Sequence, residues 1–313
     1  MLAVTVQDGN LEVAERPDPE PAKGEILVSV RSAGLNGADM LQRKGRYPAP
    51  PGSPADIPGL ELAGEVIGLG EGVSRFSEGD RVMAIVGGGG QAEKAVLHER
   101  TAMPVPPSLD WPAAGGTPEV FTTAHDALFT QARLSPGERL LVHGAAGGVG
   151  TAAVQLGRAA GARVTATVRN EAHRGDLAAL GAEAIAPEGF EEHGPFDVIL
   201  ELVGAPNLEG NLRSLGTGGR IVIIGIGAGA KAEINLAALM GTRSSIRGST
   251  LRARPLEEKA AAMRAVERHV LPLFDTGALR VPVAETFPLQ NAADAYERFE
   301  AGGKFGKIVL VTG

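Results

Sequence analysis

Three observations predict an α/β protein made of a β-rich part and a doubly wound parallel sheet. The first is length. The chain has 313 residues, against ~100–200 for an ordinary domain, so two domains are expected. The second is a change of texture near Pro118. Before it, short apolar runs are separated by Gly, Pro and acidic residues at close spacing, as in a β-rich fold. After it, apolar runs alternate with helical stretches, the mark of a parallel sheet covered on both faces. The third is a glycine-rich turn over residues 143–150, set between an apolar strand and a helix.

Taken in order, residues 26–30, 62–67 and 81–86 are the first expected strands. Pro48, Pro50, Pro51, Pro54 and Pro58 predict an irregular loop over residues 45–59. The glycine run 87–90 suits either a flexible connection or a close approach of backbone. Next come a strand at 139–143, a helix to about 161, a strand at 163–168 and a helix near 171–180. Strands follow at 183–186, 196–200, 220–224 and 245–248. Ala260, Met263, Val266, Val270 and Phe274 recur near helical spacing, which predicts one amphipathic stretch over 256–274. A last strand covers 305–311.

Composition excludes several classes. Hydrophobic residues at 43% with 21% charged describe a globular chain, neither disordered nor membrane-spanning. No apolar run approaches the ~20 residues that span a bilayer. The N-terminus has no basic segment followed by an apolar one, so no signal peptide is expected. Zero Cys removes disulfides, thiolate-bound zinc and thiol catalysis together. A net charge of −7 argues against nucleic acid, which needs clustered Lys and Arg. A cytoplasmic enzyme or binding protein remains.

The turn reads His143-Gly144-Ala145-Ala146-Gly147-Gly148-Val149-Gly150. Glycines permit a tight bend, and the free N–H groups opening the helix face an anion. A strand before, a helix after and a second strand about twenty residues on point to a dinucleotide pyrophosphate, rather than to a bare bend. Ala146, Gly147, Gly148, Val149 and Gly150 are its expected contacts. At the end of the second strand a carboxylate would take the ribose 2′-OH of NAD, a cation the 2′-phosphate of NADP. Arg169 stands there, with His173 and Arg174 just downstream, so NADPH is the expected cofactor. Gly225, Ile226 and Gly227 follow the strand 220–224, where small residues let a cofactor pass the sheet edge. Val203, beyond the strand 196–200, completes this set.

These motifs resemble the zinc-free quinone oxidoreductase (zeta-crystallin-like) branch of the medium-chain dehydrogenase/reductases, along essentially the whole chain. Besides the turn, the likeness rests on Gly34-Leu35-Asn36-Gly37-Ala38-Asp39, Gly45-Arg46-Tyr47-Pro48 and Pro58-Gly59-Leu60-Glu61-Leu62-Ala63-Gly64. Gly79-Asp80-Arg81-Val82, Gly248-Ser249-Thr250-Leu251-Arg252 and Gly306-Lys307-Ile308-Val309-Leu310 extend it. The resemblance implies a GroES-like catalytic domain over 1–120 and 263–313, with a Rossmann domain over 121–262 between. It implies that Asn36 lies by the nicotinamide and that Tyr47 faces the acceptor, making them the expected catalytic residues. It also brings Thr123 toward the nicotinamide, with Ser249 and Leu251 bordering it. The plainer readings are a Thr123 N-cap, a Tyr47 ring that only packs, and Arg252 and Arg254, the latter above all, as surface charges at a helix start. Zinc-dependent relatives carry Cys near position 36 and His near position 60. Asn36 and Leu60 stand there instead, so no metal is expected. One departure is Ile185-Ala186-Pro187, where relatives often place a Tyr against the adenosine phosphate.

Without a Lewis acid, the expected reaction is hydride transfer from NADPH to a quinone, an acceptor reactive enough on its own. The same fold also serves reduction of an activated enone, or NADPH binding without turnover. Ser245–Gly248 reads as a short final strand whose open edge invites a homodimer, unless Arg243 and Arg247 protect it.

Overall fold

The computed structural model describes residues 1–313. They form two compact units, Met1–Thr122 with Leu251–Gly313, and Thr123–Thr250. The return crossing therefore lies at 250/251, not at the expected 262/263. The expected boundary would cut a helix whose Met263 accepts a hydrogen bond from Thr122 at 3.6 Å within the first unit.

The chain opens with a hairpin of β1 (Leu2–Gln7) and β2 (Asn10–Glu15) that the sequence reading lacks. Its turn is Asp8-Gly9, with φ of 51° and 82°, the left-handed pair that a two-residue hairpin turn requires. Then come β3 (Glu25–Gly34), α1 (Gly37–Arg43), β4 (Glu61–Leu69), β5 (Arg81–Ile85), β6 (Lys94–His98) and β7 (Ala102–Pro104). Helices α2 (Trp111–Gly115) and α3 (Pro118–His125) lead to the second unit. That unit holds β8 (Arg139–Val142), α4 (Gly148–Ala159), β9 (Arg163–Thr167), α5 (Arg174–Leu180), β10 (Glu183–Ile185) and β11 (Phe196–Glu201). It continues with α6 (Leu208–Ser214), β12 (Leu215–Ile223), α7 (Leu236–Thr242) and β13 (Ser245–Gly248). The returning chain forms α8 (Leu256–His269), α9 (Leu271–Asp275), β14 (Val283–Pro288), α10 (Ala292–Glu300) and β15 (Lys307–Val311).

In the first unit the sheet order is β14-β15-β3-β4-β5-β7, with β6 also paired to β3. Ile26, Val28 and Val30 alternate inward along β3 and meet Leu62, Val66 and Val82 in one core. β3 outruns the expected 26–30 because its polar end pairs with β15, Val309 opposite Gly34 and Val311 opposite Ser32. The expected helix 256–274 is two helices, since Pro272 has no N–H to continue the first. The glycine run is a close approach rather than a flexible link. A Cβ on Gly87 would stand 2.1 Å from Ser53 Oγ, and one on Gly88 2.8 Å from the Pro54 carbonyl.

The second unit is a six-stranded parallel sheet, β10-β9-β8-β11-β12-β13. The chain leaves β8 for β9 on one side and later reaches β11 on the other. The strand order thus reverses at β8, and the crevice outside the carboxyl ends there is where such sheets take ligands. No helix of the chain is long and apolar enough to cross a membrane.

Candidate active site

In the second unit, the chain leaves β8 through His143 and bends at Gly144, whose φ is +61°. Gly147 then caps α4, a helix of 12 residues with no acidic side chain in its first turn. A glycine cap has no side-chain oxygen to satisfy the first N–H groups, so they stay available to an anion. A Cβ on Gly147 would meet nothing nearer than the Gly144 carbonyl at 3.5 Å, so the space above the helix start is open. Gly150 is different. A Cβ there would lie 2.6 Å from Ala145 Cα and 2.7 Å from the Gly144 carbonyl, so only glycine lets the turn fold onto the helix. Ala146, Gly148 and Val149 are half-buried beside them.

The other expected contacts of this unit lie beyond neighbouring strands. Arg169 follows β9, is exposed and forms no ion pair. Arg174 opens α5; its Nη1 pairs with Glu171 at 3.1 Å, while its buried Nε has no partner. Val203 follows β11. Gly225 follows β12, and a Cβ on it would collide with the Leu202 carbonyl at 2.2 Å. Ile226 is 50% exposed and Gly227 has open space around it. Ser249 follows β13 and reaches Asp126 at 3.4 Å. Thr123 lies inside α3 and is buried, so it is not an N-cap. The residues assembled at this edge fit a dinucleotide: an uncapped helix start, room over Gly147, and cations beyond β9.

The first unit holds Asn36 and Tyr47, each in a setting the sequence reading did not foresee. Asn36 starts α1 and is almost wholly buried. Its amide N–H groups donate to Glu61 at 3.0 Å and to the Gly34 carbonyl at 3.2 Å. Its Oδ1 accepts from the Lys307 ammonium at 2.8 Å. Lys307 also donates to Glu61 at 2.6 Å and to the Leu35 carbonyl at 2.7 Å, which uses all three of its hydrogens. Both ends of the Asn36 amide are therefore held by the protein. A Cβ on Gly34 would stand 2.3 Å from Glu61 Oε1, so glycine makes room for this carboxylate. Asp39 accepts from the N–H groups of Asn36 at 2.8 Å and Gly59 at 3.2 Å. Burial pushes its carboxyl up to about 6, against those N–H groups and the charges of Lys307 and Arg252.

Tyr47 is half-buried in the loop 45–59, and Arg252 is not a surface charge. At 2% exposure its guanidinium donates to the carbonyls of Gly87 and Tyr47 at 2.8 and 3.0 Å, and to Gln42 at 2.6 Å. The same group lies 5.1 Å from the centre of the Tyr47 ring, in cation–π range. Burial raises the Tyr47 hydroxyl further above its ordinary range, so at neutral pH it is a protonated donor. Leu251 is buried next to Arg252. Asn36 and Tyr47 do not bond to each other; α1 links them, with Asn36 at its start and Gln42 near its end.

The Alcohol dehydrogenase GroES-like domain family matches residues 22–107, and the Zinc-binding dehydrogenase family matches residues 180–310. With the parallel sheet and its glycine turn, these define a nicotinamide-dependent oxidoreductase. The rat (Rattus norvegicus) quinone oxidoreductase is 32% identical over 305 residues, 94% of this chain and 91% of the rat chain. That of Lama guanicoe is 34% identical over 94% of this chain and 90% of its own. A solved NAD-dependent alcohol dehydrogenase superposes with a TM-score of 0.88 at 30% identity, over 100% of both chains. The chain belongs to the quinone oxidoreductase (zeta-crystallin-like) branch of the medium-chain dehydrogenase/reductase superfamily.

Zinc, which the second family name carries, does not fit the donors present. A catalytic zinc needs three protein ligands and an open position. Positions 36 and 60 offer an amide and a leucine, Glu61 is taken by an ammonium and an amide, and Asp39 by two backbone N–H groups. No group of three His, Asp or Glu side chains is placed to hold a metal.

Proposed function

We propose that the protein is an NADPH-dependent quinone reductase that needs no metal and acts as a cytoplasmic homodimer. The observation that carries the cofactor choice is Arg169, exposed and free of ion pairs where β9 ends, with Arg174 one short turn away. NADPH, when bound, supplies the hydride. The open start of α4 holds its pyrophosphate, and the two arginines take its 2′-phosphate. Thr123, Val203, Gly225–227, Ser249 and Leu251 complete the cofactor contacts. Tyr47, protonated and oriented by Arg252, donates to a quinone oxygen, which draws electron density from the ring as hydride arrives. Asn36, with its amide held at both ends, shapes the nicotinamide side as a fixed dipole.

A panel of quinones and enones assayed with NADPH and NADH by absorbance tests this reading. Quinone-dependent oxidation of NADPH is expected. Turnover with enones alone moves the protein to enone reduction, and binding without turnover makes it a carrier. Exhaustive chelation is expected to leave rate and melting temperature unchanged; a drop that zinc reverses ends the metal-free reading.

The dimer rests on β13, the last strand on its side of the sheet. The helix leading into it, α7, packs on β12 and leaves Leu236 and Met240 65% and 75% exposed, an apolar surface on the segment just before the edge strand. Arg247 is turned onto its own unit, donating to Gln131 at 3.1 Å, which weakens charge protection of that edge. Light scattering should give about twice the 32.1 kDa of one chain. A mass near that of one chain rules the dimer out.

A further inference from the structure

We propose that Glu201 is a positioning residue for the dinucleotide, holding three turns of the cofactor edge in register through Asn211 and His143. The inference rests on the reading of the second unit as an NADPH site. Four side chains, all buried, carry it: Thr167 at the end of β9, His143 just after β8, Asn211 on α6 and Glu201 at the end of β11.

Their hydrogen bonds run in one direction. Glu201 Oε2 accepts from the Asn211 amide N–H at 2.8 Å, which leaves Asn211 Oδ1 facing His143 Nε2 at 2.8 Å. That oxygen only accepts, so the proton of the imidazole sits on Nε2. Nδ1 then accepts from the Thr167 hydroxyl at 3.0 Å. Burial lowers the His143 pKa and favours the neutral ring that this pattern requires. The other carboxylate oxygen of Glu201 accepts from the N–H groups of Val203 at 2.6 Å and Gly204 at 2.8 Å, and from the Asn207 amide at 3.3 Å. The Glu201 backbone carbonyl takes the N–H groups of Ile224 and Gly225 at 3.0 and 3.1 Å.

Each end of this chain adjoins a segment read as cofactor-binding. His143 leads directly into the glycine turn. Thr167 stands two residues before Arg169, and its carbonyl accepts from Ala145 in that turn at 3.2 Å. Glu201 turns the N–H of Val203 inward and, through its backbone, anchors Gly225. A network whose bonds reinforce one another in a buried, low-dielectric setting fixes the mutual spacing of such turns. None of the four needs to touch the ligand.

Glu201→Gln tests this. At position 201 the surroundings offer only donors, so an amide sets its own N–H against one of them. NADPH binding, read by nicotinamide fluorescence, is expected to weaken about tenfold or more, the scale of one hydrogen bond to a charged group. Asn211→Asp alone sets two carboxylates face to face and should weaken binding similarly. Combining the two changes restores the pattern: the amide now at position 201 donates to the carboxylate now at position 211, which still accepts from His143. The dissociation constant of this double variant should return to within about threefold of the wild type, the coupling expected for neighbours in one network. Nitrogen NMR of the wild type should show His143 protonated at Nε2 and bare at Nδ1. Should the single variants fail to fold, the double variant decides alone, by folding and binding or failing to. Thr167→Val, a milder change, should weaken NADPH by several-fold while shifting KM more than kcat. Unchanged affinity in the folded single variants, no recovery in the double, or a proton on Nδ1 overturns the proposal. Failure of the wild type itself to bind NADPH overturns the cofactor reading as well, and so separates the two.

Discussion

Lys307→Met is expected to destabilise the first unit by about 3–5 kcal/mol, the cost of removing one partner from a buried ion pair. Lys307 and Glu61 have side-chain exposures of 3% and 0%. Met fills the volume of the lysine stem but leaves the carboxylate facing an apolar end group. At ~2–4 °C per kcal/mol for a unit of this size, the melting temperature should fall by roughly 10 °C. Turnover should fall as well, because Asn36 loses the ammonium that holds its Oδ1. Glu61→Gln combined with Lys307→Met should cost less than the sum of the two single changes, since the stranded charge is gone. Circular dichroism melts of the three variants check this, and a shift for Lys307→Met of less than about 2 °C would show that water reaches the carboxylate.

Arg169→Ala is expected to weaken NADPH by roughly 10- to 100-fold, matching about 1.5–3 kcal/mol for a hydrogen bond to a charged group. NADH should bind nearly as before, because it lacks the 2′-phosphate. Arg169 is exposed and makes no ion pair within the protein, so the change removes no internal contact and the fold should not confound the result. Equal losses for both cofactors would mean that Arg169 does not select between them. Arg174 is the natural second variant, since its Nη1 is already shared with Glu171 and its effect should be smaller.

Much of the second unit was readable because its constraints are local. Gly150 is a glycine for a reason within a few residues, since a Cβ there would strike Ala145, and Gly225 for one just beyond the neighbouring strand, since a Cβ there would strike Leu202. The alternation of apolar strand and helix needs no knowledge of distant contacts either. Two departures from the expected elements also have causes close by in the chain. Pro272 divides the expected helix, and Asp8-Gly9 marks a hairpin that two short strands of mixed polarity concealed.

The constraints of the first unit are less local. Asn36 and Tyr47 came from resemblance, and their surroundings came from tertiary contacts between residues far apart in sequence. Lys307 and Glu61 are 246 positions apart, and Arg252 and the Tyr47 carbonyl 205. As isolated letters, a lysine heading a strand and an arginine before a helix look like solvated charges. A chain of this composition favours that reading, because Lys and Arg are seldom buried unless paired.

By itself the sequence determined the fold class, the glycine turn with its strand and helix, the cations beyond the second strand, and the lack of thiol chemistry. These follow from side-chain size, backbone freedom and charge over short stretches of chain. Only the tertiary structure decided which charges are buried and how they are spent. It turned Arg252 inward onto Tyr47, used Lys307 to hold both Glu61 and Asn36, and joined Thr167, His143, Asn211 and Glu201 into one chain of hydrogen bonds. The physical reason is that a buried polar group is stable only with its partners in place, and distant segments supply those partners once the fold has formed.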